Sequence, residues 1–273
     1  MLVNGQHADT ISIEDRGLLY GDGVFETILC DQGKPVLFDL HMRRLQRGCE
    51  RLMLVEQDIN TLQSEVMQVA QNDDCVIKVI ITRGVRSRGY RFDPADKAHT
   101  RIVYRSPIPQ IPKSYYQQGI SLALSAYHLP KNEVLAGIKH LNRLDQVLAC
   151  RDWNSEFSEN LMLDQDGYVI EGTMCNIFIE TDGVLKTPAL NQTGIEGVMR
   201  EWLINCSQKL SIECQQQNIK LTELDKADAV FMCNSVMGIW PVAKFQNNVY
   251  SISKITRRLM RLLNDNLSAL YKA

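Results

Sequence analysis

Lys139 is the residue in this sequence whose surroundings best suit covalent chemistry. It follows a glycine-containing loop and opens a run of apolar residues spaced as on one helical face. These are Leu141, Leu144, Val147 and Leu148. A lysine amine is nucleophilic once it has lost its proton, and the positive end of a helix dipole disfavours the protonated form. The pattern therefore predicts a helix over residues 138–153 whose first turn presents the Lys139 amine.

The composition of the chain narrows the classes of partner and cofactor that such a lysine could serve. The chain has 273 residues and a formal net charge of −2, which gives no indication of a nucleic-acid or membrane partner. The eight cysteines are scattered, and no C-x-x-C pair occurs, which favours reduced thiols over a metal centre. The first residues lack the charged and apolar regions of a secretory signal. We expect a cytoplasmic protein that binds a small molecule and no metal.

Strand and helix patterns alternate irregularly, which is typical of an α+β protein. Residues 75–82 are strongly β-branched and predict a central strand. Hairpins are predicted around residues 31–34, 164–167 and 181–183, and helices over residues 197–210 and 255–270. Three prolines, at 107, 109 and 112, interrupt the pattern. They predict two domains, a smaller one at residues 1–106 and a larger one at 120–273 with Lys139, joined by a linker at 107–119.

Several polar residues stand where strands or loops end. Glu171 follows an apolar strand and precedes a glycine, so it is expected at a strand end. The glycine-containing turn at residues 193–198 precedes a helix, where backbone amides favour an anion. The loop at residues 82–90 holds three arginines, which suit a substrate with carboxylates.

Residues 137–149, Gly-Ile-Lys-His-Leu-Asn-Arg-Leu-Asp-Gln-Val-Leu-Ala, resemble the lysine segment of the fold-type IV pyridoxal phosphate enzymes. Within that family they are most similar to the 4-amino-4-deoxychorismate lyases. Further resemblances are Y-G-D-G-x-F at residues 20–25, H-x-x-R-L at 41–45 and R-G-Y at 88–90, and together they extend over nearly the whole chain. The resemblance implies the two-domain α+β fold of this family, pyridoxal 5'-phosphate as cofactor, and a homodimer.

The resemblance also implies roles at the cofactor. Lys139 binds its aldehyde and later moves a proton, and Glu171 keeps its ring nitrogen protonated. The phosphate is expected on the Arg44 side chain and on three further groups. These are the backbone amides of Ile195 and Glu196 and the hydroxyl of Ser235.

Substrate contacts are implied at three positions. Arg88 and Tyr90 of the R-G-Y motif are expected to bind a substrate that carries carboxylates, and Thr27 is expected to donate a hydrogen bond near it. The implied reaction converts 4-amino-4-deoxychorismate into p-aminobenzoate and pyruvate.

Two alternatives remain open at this point. Glu26, after the motif phenylalanine, is also typical of the aminotransferases of this family, which would act on a D-amino or branched-chain amino acid. A scaffold of the same fold that has lost its cofactor is the second alternative. The presence of Lys139, Glu171 and Arg44 argues against it.

Overall fold

The chain forms two compact units, seen in a computed structural model that describes residues 1–86 and 88–271. Unit 1 comprises Met1–Pro109 and Ile138–Arg143, and unit 2 comprises Gln110–Gly137 and Leu144–Ala273. The change after Pro109 lies inside the predicted linker at residues 107–119. The division differs from the predicted domains in one respect, because Lys139 belongs to unit 1 and not to the C-terminal part.

The described residues of unit 1 form six strands and three helices. The strands are β1 (Leu2–Val3), β2 (Gln6–His7), β3 (Gly23–Asp31), β4 (Lys34–Pro35), β5 (Cys75–Thr82) and β6 (Thr100–Ser106). The helices are α1 (Arg16–Tyr20), α2 (Phe38–Arg51) and α3 (Ile59–Ala70). The strands make one antiparallel sheet in the order β2-β1-β6-β5-β3-β4.

The core of unit 1 lies where α2 and α3 cover this sheet. Leu45 of α2 and Val66 of α3 are fully buried with Ile28 of β3 and Ile77 of β5. The β-branched run of β5 fits a central strand because it packs on both sides. The sheet therefore holds β3, which carries much of the candidate site, between β4 and β5.

The described residues of unit 2 form the remaining elements. Its strands are β7 (Ile120–Leu124), β8 (Glu159–Leu163), β9 (Tyr168–Gly172), β10 (Asn176–Thr181), β11 (Val184–Pro188), β12 (Cys214–Gln217), β13 (Ile219–Lys220), β14 (Ala229–Asn234), β15 (Gly238–Phe245) and β16 (Asn248–Val249). Its helices are α4 (Lys113–Gln117), α5 (Leu144–Ala149), α6 (Val198–Lys209), α7 (Leu221–Leu224) and α8 (Lys254–Asn266), followed by a 3-10 turn (Ala269–Tyr271).

These strands pair in a nearly closed circuit. The order is β12-β11-β10-β14-β15-β7-β8-β9-β13, and a further contact between β9 and β10 closes the path through six of the strands. Phe178, Phe231 and Phe245 are fully buried, and the first two rings stack at 5.0 Å. This packing fixes the ends of β9 and β14, where two of the predicted site residues lie: Glu171 on β9 and Ser235 directly after β14.

The helix predicted over residues 138–153 is wrong for its first six residues. Only Leu144–Ala149 is helical, and the segment before it is extended, with His140 bridged to Val24 of β3. The apolar spacing did not mark a buried face, since Leu144 is 67% exposed and Val147 63%. The proposed effect of a helix dipole on Lys139 is therefore wrong as well.

Other predicted elements agree more closely with the structure. β5 confirms the strand at residues 75–82, and α6 confirms the helix at 197–210 to within one residue at each end. Helix α8 begins one residue before the predicted start and ends at Asn266 instead of residue 270. Across residues 1–86 and 88–271, no helix has the length and apolarity needed to span a membrane.

Candidate active site

Lys139 stands in the extended segment that runs antiparallel to β3. The amide of Phe25 donates to the carbonyl of Lys139 at 2.9 Å, and the amide of Leu141 donates to the carbonyl of Gly23 at 2.9 Å. The Lys139 ammonium lies 4.4 Å from the centre of the Phe25 ring. The backbone on both sides of the lysine is thus fixed by a buried strand, while its side chain is only half-buried.

His140 and Arg143 extend this segment as a basic cluster. Arg143 donates through Nη2 to Nε2 of His140 at 2.5 Å. Burial, together with the charges of Arg143 and Lys139, lowers the pKa of His140 to about 3. His140 is therefore neutral at physiological pH and adds no further positive charge beside Lys139.

Arg44 lies in a buried cluster of charged side chains. Its Nε and Nη2 donate to the two carboxylate oxygens of Glu26 at 2.8 and 2.5 Å, and Nδ1 of His41 lies 2.6 Å from the same carboxylate. Glu26 and His41 are fully buried and Arg44 is 5% exposed. The Glu26 carboxylate binds Nε and Nη2 of Arg44 and thereby fixes the orientation of the guanidinium plane.

The charges of this cluster are set by its burial. Burial raises the pKa of the Glu26 carboxyl, but the charge and hydrogen bonds of Arg44, with those of His41, outweigh it and lower the pKa to about 2. Burial also keeps the pKa of His41 below its ordinary value, although Glu26 opposes this, and Lys139 adds to the lowering. Sequence reasoning missed His41 as a partner. Its spacing of three from Arg44, which puts both on one helical face, was the available signal.

Alternation along β3 separates two groups of side chains. Successive side chains of a strand point to opposite faces, so Thr27 shares the face of Phe25, and Glu26 lies on the other. Lys139 pairs opposite Phe25, as the bridge one residue away shows, and thus lies on the Thr27 face. The structure therefore brings the predicted Thr27 and Lys139 to one side of β3.

Asp22 organises the loop that follows β5. It accepts hydrogen bonds from Nε of Arg16 and from Nε of Arg83, both at 2.8 Å. Burial raises the pKa of Asp22, but the hydrogen bonds and charges of the two arginines give a net lowering. One of the three loop arginines, Arg83, is thus buried in an ion pair with Asp22.

The R-G-Y motif is held by its backbone and leaves its side chains exposed. Arg16 donates to the carbonyls of Gly89 at 2.6 Å and Tyr90 at 3.3 Å. The Tyr90 ring lies 5.2 Å from the Tyr20 ring and is 80% exposed, and Arg88 is also exposed. The two predicted substrate residues thus stand at the surface of unit 1. Sequence reasoning missed Arg16 as the residue that joins this motif to Y-G-D-G.

In unit 2, Glu171 and Asn176 face each other across β9 and β10, and both bind the backbone of one residue, Ile195. Oε2 of Glu171 accepts the amide of Ile195 at 2.9 Å, and Nδ2 of Asn176 donates to the carbonyl of Ile195 at 2.8 Å. A Cβ on Gly197 would stand 1.9 Å from Oδ1 of Asn176, so any larger residue there would force the Asn176 side chain to move. Glu171, which is 3% exposed, thereby positions the turn before α6.

The two backbone amides predicted to bind the phosphate, those of Ile195 and Glu196, both have acceptors within the protein. The amide of Ile195 donates to Glu171, and the amide of Glu196 donates to the carbonyl of Gly137 at 3.1 Å. A phosphate held by these two amides would have to displace both acceptors. The amides of Val198 and Met199 open α6, where helix geometry provides no intrahelical acceptor. These amides could therefore also bind an anion, and the phosphate roles of Ile195 and Glu196 stay predictions.

Glu159 supports the turn that links Glu171 to Asn176. Its fully buried carboxylate accepts the amide and hydroxyl of Thr173, at 2.9 and 2.5 Å, and the amide of Met174 at 3.1 Å. Sequence reasoning did not single out Glu159. Its position at the start of an apolar strand gave no local indication of a long-range partner.

Ser235 stands in the three-residue turn between β14 and β15. The residue is half-buried, and its carbonyl accepts a hydrogen bond from the Tyr271 hydroxyl at 2.7 Å. Its phosphate role stays a prediction, as do the roles of Arg44, Glu171, Ile195 and Glu196.

Comparison with known proteins assigns the chain to a family. Residues 23–245 match the family described as amino-transferase class IV, and the chain belongs to this family. It is 33% identical to an aminodeoxychorismate lyase of Vibrio harveyi over 96% of this chain and 98% of that one. Its structure is similar to that of 4-amino-4-deoxychorismate lyase from Pseudomonas aeruginosa, with a TM-score of 0.92 and 39% identity over 97% and 98% of the two chains. Escherichia coli branched-chain amino acid aminotransferase also matches, with a TM-score of 0.85 and 26% identity over 98% and 94%. The predicted fold is thereby confirmed.

Proposed function

We propose that this protein is a pyridoxal phosphate-dependent lyase that converts 4-amino-4-deoxychorismate into p-aminobenzoate and pyruvate. The observation that carries the proposal is the geometry of Lys139, whose backbone is fixed on β3 and whose amine lies against Phe25. The similarity to lyases from Vibrio harveyi and Pseudomonas aeruginosa gives the reaction class.

The side chains present fit pyridoxal 5'-phosphate by their chemistry. Lys139 supplies the amine for its aldehyde, and the buried carboxylate of Glu171 suits its protonated ring nitrogen. For the phosphate we propose Arg44, Ser235 and the backbone amides of Ile195 and Glu196, together with the first amides of α6. When bound, the cofactor supplies an electron sink for the carbon that loses a proton.

Lys139 has two tasks in this reaction. Its amine would hold the cofactor, and when it is not bound there the same amine would take the proton from the substrate carbon that bears nitrogen. The bond from the ring to the enolpyruvyl oxygen would then break, the ring would become aromatic, and the departing enolpyruvate would take up one proton to give pyruvate. His140, beside Lys139, is neutral and adds no positive charge to this part of the site.

Substrate selection is proposed at the exposed residues of unit 1. Arg88 can pair with a substrate carboxylate, and Tyr90 can pack against a ring. Thr27, on the Lys139 face of β3, can donate to a substrate oxygen.

A homodimer is proposed from the exposed apolar side chains. On α1, Leu18 and Leu19 are 62% and 53% exposed, and on α5, Leu144 and Val147 are 67% and 63% exposed. Helices that present such side chains are typical of surfaces covered by another chain. Sedimentation at micromolar concentration tests the dimer, and a monomer would contradict it.

All eight cysteines are free and most are buried, which supports a reducing, cytoplasmic location.

A second candidate function is transfer of an amino group from a D-amino or branched-chain amino acid. The likeness to Escherichia coli branched-chain amino acid aminotransferase supports it, as does Glu26. The two reactions share the proton removal by Lys139 and differ in whether a keto acid is required.

The test supplies 4-amino-4-deoxychorismate without any keto acid and follows p-aminobenzoate fluorescence together with pyruvate. Equal amounts of both products are expected. The Lys139→Ala variant should lose turnover and the visible absorbance of the lysine-bound cofactor. Lys78→Ala is the matched control, because the Lys78 amine also lies on the Phe25 ring, at 4.8 Å, and this variant should keep the band. A bound yellow cofactor without either product would favour transamination.

A further inference from the structure

The turn that carries Ser235 is built as a rigid hairpin loop. Oδ1 of Asn234 accepts the amides of Val236 at 2.9 Å and Met237 at 2.8 Å, so the turn is closed from within. Gly238 follows with a φ of +75°, the left-handed conformation typical of the glycine that ends a three-residue hairpin loop. These bonds use the inner amides of the turn and leave its carbonyls for partners outside it.

Two buried tyrosines bind those carbonyls. The Tyr271 hydroxyl donates to the carbonyl of Ser235 at 2.7 Å, and the Tyr116 hydroxyl donates to the carbonyl of Met237 at 2.9 Å. Their side chains come from opposite ends of the unit 2 sequence, and they are 3% and 7% exposed. Burial raises the pKa of both phenols, so both remain protonated donors.

The Tyr271 ring also fixes the turn by packing. A Cβ on Gly238 would stand 2.9 Å from Cδ1 of Tyr271, so the ring lies directly against the glycine backbone. Tyr271 lies in the 3-10 turn that follows α8, and α8 is packed against the rest of unit 2 through the buried Leu259 and Leu263. The position of the Ser235 peptide is therefore coupled to the docking of α8.

We propose that Tyr271 is a positioning residue that holds Ser235 in place for the cofactor phosphate. The proposal rests on the proposed function, because it requires that Ser235 binds the phosphate. Tyr271 itself does not touch the cofactor in this scheme. Its hydroxyl fixes the Ser235 peptide, and with it the direction of the Ser235 side chain, before the cofactor arrives.

The test compares Tyr271→Phe with Tyr250→Phe. Tyr250 is the matched control, because it is a buried tyrosine of the same unit whose hydroxyl donates to a backbone carbonyl, that of Leu224, at 3.0 Å. Each variant loses one hydroxyl and one hydrogen bond to a carbonyl. A difference between them therefore reports the turn and not the loss of a tyrosine hydroxyl as such.

The readout is the affinity for pyridoxal phosphate relative to pyridoxal, which lacks the phosphate, measured by absorbance titration of the full chain. One hydrogen bond is worth roughly 1 kcal/mol, so Tyr271→Phe should weaken pyridoxal phosphate binding about three- to ten-fold. Pyridoxal binding should not change in this variant, and Tyr250→Phe should change neither. Equal weakening of both ligands, or no difference from Tyr250→Phe, would overturn the proposal.

Two further variants separate the possible failures. Ser235→Ala should reproduce the selective loss, and if it does not, the positioning proposal is wrong while lysine-bound cofactor and p-aminobenzoate formation can still stand. If Tyr271→Phe does not fold, Tyr116→Phe tests the same turn through the Met237 carbonyl, with a selective loss again expected. Unchanged binding in Tyr116→Phe would then count against the proposal.

Discussion

Replacing Glu26 by glutamine tests whether the buried cluster on α2 and β3 is held by charge. The change keeps the shape of the side chain but removes the negative charge between Arg44 and His41. The Arg44 guanidinium would then be buried without its counter-ion, which typically costs about 3–5 kcal/mol. The pKa of Glu26 gives an independent value, because a fall from 4.5 to about 2 corresponds to roughly 3 kcal/mol.

The pH dependence gives this prediction its sign. A carboxyl with a lowered pKa in the folded protein contributes stability above its unfolded pKa, and that contribution is lost as the pH falls. The difference in free energy of unfolding between wild type and Glu26→Gln should be constant above pH 4.5. It should shrink as the pH falls toward 2.

Urea denaturation of the cofactor-free protein measures this difference. Far-ultraviolet circular dichroism is the suitable signal, because all three tryptophans lie in unit 2 and report poorly on the cluster. Glu65→Gln is the matched control, since Glu65 pairs with both Nε and Nη2 of Arg101 in the same unit, where Arg101 is more exposed than Arg44. The control should cost about 1–2 kcal/mol. A loss below 1 kcal/mol for Glu26→Gln, or one that does not change down to pH 2, would refute the reasoning.

Two other predictions concern the turn before α6 and the basic cluster. Gly197→Ala should destabilise unit 2 by about 1–3 kcal/mol and weaken cofactor binding, because its Cβ would meet Oδ1 of Asn176 at 1.9 Å. The fluorescence of Trp202, on the same helix, follows the unfolding, and wild-type stability would contradict the steric argument. His140, whose pKa is lowered to about 3, should show no proton NMR titration between pH 5 and 8. Stability attributable to neutral His140 should fall as the pH drops below 6.5, and a midpoint near 6.5 in the native protein would disprove its burial as a neutral ring.

Local patterns in the sequence were sufficient where an element depends on its own residues. The β-branched run of β5 and the turn residues of the hairpin between β8 and β9 predicted these strands correctly. Helix α6 was predicted for the same reason, since its apolar spacing follows a glycine turn.

Prediction failed where distant segments decide the conformation. Residues 138–143 have helical spacing, but pairing with β3 makes them extended. A strand partner more than a hundred residues away cannot be read from a local window. The same applies to the site, because Glu26 could be recognised as the partner of Arg44 only once α2 was seen against β3.

The backbone amides proposed to bind the phosphate show a similar limit of prediction from the sequence. Gly194 marks the turn, but the sequence does not indicate that the Ile195 amide turns toward Glu171.

The attachment of Lys139 to β3 has a consequence for the order of folding. Ribosomes make residues 1–109 first, yet unit 1 is completed only by Ile138–Arg143, which follow a stretch that belongs to unit 2. Contacts of such long sequence separation form slowly, because the intervening chain must first be closed into a loop. The nascent protein should therefore be unable to bind its cofactor until this segment has docked. The rate at which pyridoxal phosphate binds during refolding would then report the rate of this last folding step.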